Sequence, residues 1–173
     1  MNEKETTANS ATNIQTYLTF TLNEEFFAAN VNQVLNILEM KPITRVPKSP
    51  AYLRGAINLR GNVLPVVDLR IKFAMPPTEI ASDTCIIVLN IEMEDEMVTL
   101  GILVDAVNEV LEIDEEKIEP SPTIGTKYKA ELIKGMRRKK DGFIMLLNMD
   151  YIFSNEELLI VKETVVDTNL AEK

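Results

Sequence analysis

The 173-residue sequence has no histidine, no tryptophan and one cysteine, Cys85. Without histidine, no Ser-His-Asp triad, no Cys-His pair and no zinc site of the usual Cys/His type can be built from this chain. A single cysteine excludes an internal disulfide framework. Most hydrolase chemistry falls away with them, and no catalytic, cofactor-binding or metal-binding residue is assigned. The 6 glycines are scattered singly, with no phosphate-cradling loop of the P-loop or dinucleotide type, so nucleotide binding is not expected. No apolar run reaches the length of a membrane span. The opening residues MNEKETTANSATN are polar, without the apolar segment of a signal peptide. Basic residues are scarce as well: 18 Lys and Arg against 27 Asp and Glu leave a net charge of -9, which repels a phosphate backbone and an anionic membrane surface alike. Neither nucleic acid nor direct membrane insertion is expected, and the chain is expected to be cytoplasmic. The basic run from Arg137 to Lys140 is the local exception, and it reads as the solvated tip of a hairpin turning at Asp141 and Gly142.

What is present is a succession of short apolar runs. Residues 1–13 lack periodicity and are expected to form a disordered tail. From Leu18 the apolar residues Leu18, Phe20 and Leu22 alternate with Thr19 and Thr21, the period of a half-buried strand. A polar turn over Asn23 to Glu25 and a second strand, FFAA, follow. Asn30 and Gln33 resemble a capping box, and Val31, Val34, Leu35 and Leu38 recur at helical spacing, so a short helix is expected from Asn30 to about Leu38, ended by Pro42. In the block ITRVPKSPAYLRGAINLRGNVLPVVDLRIKF, Ser49 and Pro50 are expected to start a helical turn closed by Gly55. The runs Ala56 to Leu59 and Val63 to Val67, separated by Arg60, Gly61 and Asn62, then make a tight hairpin. Pro65 lacks a ladder donor, so its strand is expected at an edge, at a bulge, or with that amide turned away from a neighbour. LRIKF adds one helical turn. Strands are further expected around Cys85 to Ile91, where the thiol reads as buried and structural, and over Val98 to Val104. A second short helix is expected over Asp105 to Ile113, and Pro120 and Pro122 stiffen a loop. A hairpin over Gly135 to Asn148 follows, then a capping box from Ser154 to Glu157.

The order repeats. A shift of 80 places Gly55 on Gly135, Arg60 on Lys140, Asp68 on Asn148 and Phe73 on Phe153, while NVNQVLNI from Asn30 matches DAVNEVLEI from Asp105 with one residue inserted. Any two hairpins with apolar strands look alike to some degree, so coincidence is the competing explanation. If the repeat is real, the chain holds two related units of about five short strands, each the size of a small antiparallel barrel with a groove between them. Two local features stay open. Arg60 at a hairpin tip is either a contact residue or an exposed arginine laid over neighbouring apolar surface. Asp68 and Asp105 follow apolar strands, where capping is favoured over acid chemistry, and a carboxylate-based small β-barrel enzyme is the reading that acid chemistry would support.

The motifs ITRVP, then PAYLRGAINLRGNVLPVVDLRIKF, then GILVDAVNEVLEI, in this order across Tyr17 to Leu158, resemble the bacterial chemotaxis coupling protein family, CheW. The resemblance implies an all-β fold with short helices, in which two five-stranded SH3-like β-barrel subdomains intertwine into one CheW-like domain over residues 14–158, with a C-terminal extension over 159–173. It implies no catalytic activity and no cofactor. It further implies an adaptor joining the cytoplasmic tips of chemoreceptors to the regulatory domain of a CheA-type histidine kinase, at receptor arrays on the inner face of the membrane. A coupling protein of a related chemosensory array, such as one serving twitching motility, is the alternative. Carried over by motif, the receptor-facing set is Val34, Asn36, Leu59, Arg60 and Gly61, and the kinase-facing set is Ile43, Arg45 and Val46. The chain departs from the family pattern at Asn36, where a glutamate is common, and in NEEFFAAN, which lacks the glycine usual after the first turn. Both departures bear on the receptor class.

Overall fold

The computed structural model describes residues 13–120 and 132–172, so the tail expected before Asn13 and the loop position Pro122 lie outside the described residues. The elements in chain order are β1 (Ile14–Leu22), β2 (Glu25–Asn30), β3 (Val34–Glu39), β4 (Leu53–Leu59), β5 (Asn62–Asp68), α1 (Leu69–Lys72), β6 (Cys85–Met93), β7 (Glu96–Val104), β8 (Ala106–Asp114), β9 (Ile133–Lys139), β10 (Gly142–Leu147), α2 (Met149–Ile152) and α3 (Asn155–Glu172). They form two five-stranded sheets, β3-β6-β7-β5-β4 and β8-β1-β2-β10-β9. The two orders correspond position by position, including one parallel pair in each, β5 with β7 and β10 with β2. Each sheet therefore takes one hairpin from one half of the chain and three strands from the other.

Both sheets curl. Thr44 and Ala56 exchange two backbone hydrogen bonds of 2.8 Å on the outer edge of β4, and Glu119 and Met136 do the same at 2.9 and 2.8 Å on the outer edge of β9. The link from Glu39 at the end of β3 to Thr44 reaches at most about 18 Å. A flat sheet would put that edge about 24 Å away. The edge strands must swing toward each other, and the Asp114 to Glu119 link imposes the same on the second sheet. Inside each curl sits a private core: Ile57, Leu64, Val66, Ile86, Val88 and Leu103 in the first sheet, and Tyr17, Ala28, Ile113, Ile144 and Leu146 in the second. A larger core, including Phe20, Phe27, Leu89, Leu100 and Ile102, lies between the sheets and takes Leu158 and Val161 from α3.

Two expected helices are strands. Only Val31–Gln33 makes a single 3-10 turn, capped by Asn30, whose side chain accepts from Asn32 N, and Val34 onward is β3. The segment expected as a helix from Asp105 is β8. The cause is the same in both: a β-bulge. On β3 it falls between Val34 and Asn36, and where β1 meets β8 it falls between Leu18 and Phe20. A bulge inserts one residue, so apolar side chains on one face recur after three positions rather than two, as Val107 and Val110 do opposite Phe20 and Leu18. Over a short segment that spacing imitates a helix.

After Ser49 a single hydrogen-bonded turn forms, Leu53 N donating to Pro50 O at 3.0 Å, but it does not run on to Gly55. Ser49 Oγ donates to Val46 O at 2.7 Å, and Gly55 lies within β4 with φ +148, where a Cβ would stand 2.2 Å from Thr44 O. Asp105 does not cap a helix. Pro65 pairs with Ala56, whose own amide and carbonyl face Thr44, so the donor missing at Pro65 would have pointed toward β7, whose pairing with β5 starts only at Val66. Cys85 is half-buried, and burial pushes its thiol above the ordinary range, which keeps it protonated near neutrality. The capping box is in place: Ser154 N donates to Glu157 Oε1 at 3.0 Å and Glu157 N to Ser154 Oγ at 3.1 Å. α3 crosses residue 158, and Val161 beyond it is fully buried.

Candidate functional site

The hairpin β4-β5 turns through Arg60 and Gly61, with φ of +54 and +86, and Asn58 Oδ1 accepts from Gly61 N at 2.9 Å. Positive φ at both central residues is the geometry whose twist matches two flanking strands. Arg60 is exposed, and among the described residues nothing pairs with its guanidinium. A Cβ on Gly61 would meet nothing within 4 Å, so the space above the tip is open. Leu59, just before the turn, packs on the private core of the first sheet.

Val34 and Asn36 lie on β3, at the opposite edge of the same sheet. Because β3, β7 and β5 run in one direction, β5 begins at the end of the sheet where β3 begins, and the Arg60 tip projects from that end. The curl brings the two edges round to a common rim. The five residues do not share one face, however. Val34 pairs with Leu89, which belongs to the core between the sheets, while Asn36 pairs with Val88, which belongs to the private core. Cross-strand partners share a face, so the bulge sends Val34 toward the seam and Asn36 toward the barrel end with Leu59. Asn36 Oδ1 accepts from Ile37 N at 2.8 Å.

Ile43, Arg45 and Val46 lie on the chain that closes the first barrel. Ile43 is half-buried against the private core, so its first task is packing. Ile43 and Arg45 line an open cleft of about 600 Å³ together with Lys41 and Ile80, and Arg45 and Val46 line an adjoining depression of about 410 Å³. Leu35, which the sequence allows with Val34 to stay partly open at a groove, is 56% exposed, while Ile37 on β3 and Ile80 beside the cleft, exposed at 44% and 55%, were missed in the sequence. Reading VLNILE with period two, which puts Ile37 on the face of Leu35, would have found Ile37.

Both candidate acids are engaged. Asp68 is fully buried and accepts from Arg54 Nη1 at 2.9 Å, Thr78 N at 3.0 Å, Thr78 Oγ1 at 2.8 Å and, as the cap of α1, Arg70 N at 3.1 Å. Asp105 accepts from Arg70 Nε at 3.1 Å, Arg70 Nη2 at 2.5 Å and Asn23 N at 2.7 Å. Neither carboxylate is open to a substrate. What the rim offers is a cation, Arg60, on a rigid tip, an apolar edge strand and a cleft lined by Lys41 and Arg45: parts suited to holding another protein.

A family model for the CheW-like domain matches residues 16–157. The chain belongs to the CheW-like domain family. It is 31% identical over 147 residues to the chemotaxis protein CheW of Klebsiella aerogenes, covering 85% of this chain and 86% of that one. It is 32% identical over 139 residues to CheW of Bacillus subtilis, covering 80% and 86%. Among solved structures it resembles the scaffolding protein CheW of Thermoanaerobacter tengcongensis with a TM-score of 0.73 and 31% identity, covering 84% of this chain and 92% of that one. The CheW-like assignment agrees with the two five-stranded sheets. Among the described residues no helix is long and apolar enough to cross a membrane.

Proposed function

We propose that this CheW-like chain is a non-catalytic adaptor of chemotaxis, coupling the cytoplasmic tips of chemoreceptors to a CheA-type histidine kinase on the inner face of the membrane. The match of the family model over residues 16–157 carries the reading, and the rim supports it. Receptor helices lie along the β3 edge, where Val34 and Asn36 are reachable from either face, and meet Leu59, Arg60 and Gly61 at the tip. The Arg60 guanidinium makes a charge-assisted contact that favours one orientation. The kinase meets Arg45 and Val46 beside the cleft, with Ile43 supporting them from beneath. Such a protein needs no chemistry of its own: it links two partners through its differential affinity for their active and inactive arrangements.

The test is a purified three-way reconstitution with the cognate kinase and a receptor fragment. Arg60→Glu is expected to keep the wild-type unfolding midpoint, because the side chain is exposed and unpaired, while receptor binding and kinase activation both fall. Unchanged binding and unchanged kinase control would overturn the assignment of Arg60.

A further inference from the structure

The two halves of the chain meet across the seam on two sides, and the sides differ. On one, Arg70 of α1 reaches Asp105 between β7 and β8, and the ion pair closes the seam with side chains only 16% and 19% exposed. On the other, the shift of 80 puts Asp150 in the place of Arg70, Asn148 in that of Asp68 and Lys134 in that of Arg54, and the aligned crossover puts Asn30 in the place of Asp105. Among the described residues no cation pairs with Asp150 on this side. Gln33 Nε2 donates to Asp150 Oδ1 at 2.9 Å, and a cleft of about 330 Å³ stays open, lined by Asp150, Asn30, Asn148, Lys134 and Glu92.

The charges in the cleft decide what it takes. Lys134 is already committed, donating to Glu115 Oε1 at 2.6 Å and to Tyr17 Oη at 3.2 Å. Asp150 has one amide partner and Glu92 has none among the described residues, so the cleft is left net negative. The Asn148 side chain makes no cap bond, unlike that of Asp68, and an asparagine amide offers both donors and an acceptor, the complement of a peptide backbone. We propose that this cleft docks an extended segment of a partner protein through one arginine, whose guanidinium stands against Asp150 and Glu92 where Arg70 stands against Asp105 on the closed side. The cleft adjoins the β3 edge through Gln33, the residue before Val34, but the peptide titration uses neither receptor nor kinase, so its outcome is read apart from that assignment.

The experiment titrates the full chain with acetyl-Gly-Arg-Gly-amide and follows the side-chain amide resonances of Asn30 and Asn148 by NMR. Saturable shifts at these amides are expected, about tenfold weaker binding in Asp150→Asn, and none with the citrulline peptide, which keeps the shape and loses the charge. Free arginine is expected to bind more weakly than the peptide. The double variant Asn30→Asp with Asp150→Arg copies the pair of the closed side and is expected to raise the melting temperature by about 2–4 °C while abolishing binding. Absent shifts, equal binding of the citrulline peptide or of free arginine, or undiminished binding in Asp150→Asn or in the double variant would each overturn the proposal. Asp150 and Glu92 are exposed, so Asp150→Asn and Glu92→Gln leave the fold available as a control.

Discussion

Single positions carry the closure of both barrels. Gly55 and Gly135 occupy matching places, and a Cβ at either would stand 2.2 Å from a neighbouring atom: the Thr44 carbonyl oxygen in the first barrel and Ile118 Cγ2 in the second. A Cβ at Gly135 would also meet backbone, the Glu119 carbonyl oxygen, but at 2.8 Å, and only Gly55 adds a positive φ of +148. Gly55→Ala is therefore expected to lower the unfolding free energy by about 3 kcal/mol in urea titration, and Gly135→Ala by less. The opposite applies at Glu24, which with Asn23 turns the β1-β2 hairpin at φ +69 and +49, a left-handed geometry that favours glycine. Glu24→Gly is expected to stabilise the fold by about 0.5–1 kcal/mol, raising the urea midpoint at unchanged slope. Arg60 shares this left-handed geometry, so its positive φ reports the turn type. What distinguishes it is a cation at the tip of a rigid two-residue hairpin, unpaired among the described residues.

Among the elements, hairpins were legible in the sequence and the strands that cross between sheets were not. The β4-β5 and β9-β10 hairpins, the α1 turn and the capping box of α3 all stand where local chemistry places them, because turn residues and caps act within a few positions. The β3 and β8 segments failed for the opposite reason. Their bulges depend on what β6 and β1 present across the sheet, as where Thr19 Oγ1 accepts from Glu109 N at 2.9 Å and donates to Glu109 O at 2.8 Å. The same error misplaced the faces, since a helix would have put Val34 and Leu38 together, while the bulged strand pairs Val34 with Leu89 and Leu38 with Ile86 on opposite sides of the sheet. α3 allows a test at this scale. Partial burial pushes the Glu157 carboxyl up, but the Lys72 ammonium at 2.5 Å and the Ser154 donors outweigh it and hold it below the ordinary carboxylate range. A carboxyl lowered in the folded state lends stability above its unfolded value of about 4.3, lost as the pH falls through the folded value. Between pH 5 and pH 3 the melting temperature of the wild type is expected to fall further than that of Glu157→Gln.

For the whole molecule the decisive feature is the exchange of hairpins between the two halves of the chain. It makes the seam part of one core, with Arg70, Asp105 and Asn23 N tying one side. A double-mutant cycle of Arg70→Ala and Asp105→Ala is expected to give a coupling of about 1–2 kcal/mol, read from urea unfolding followed by circular dichroism. Because each sheet contains strands from both halves, unfolding is expected to remain a single transition in all variants. Two transitions would mean that the barrels come apart separately.

The sequence by itself determined the class of molecule, since the absence of histidine, the net charge of -9, the alternating apolar runs and the LRGN and VVDLR motifs depend on composition and local order. It also contained the repeat, because both halves must build the same curled unit. Tertiary structure alone decided which half supplies which strand, where the bulges fall, which face of β3 each candidate residue shows, and that one side of the seam is locked while the other stays open. Those outcomes depend on pairings between residues far apart in the chain, from Val66 with Gly101 to Phe26 with Ile144, and a strand carries no local mark of the neighbour it will find.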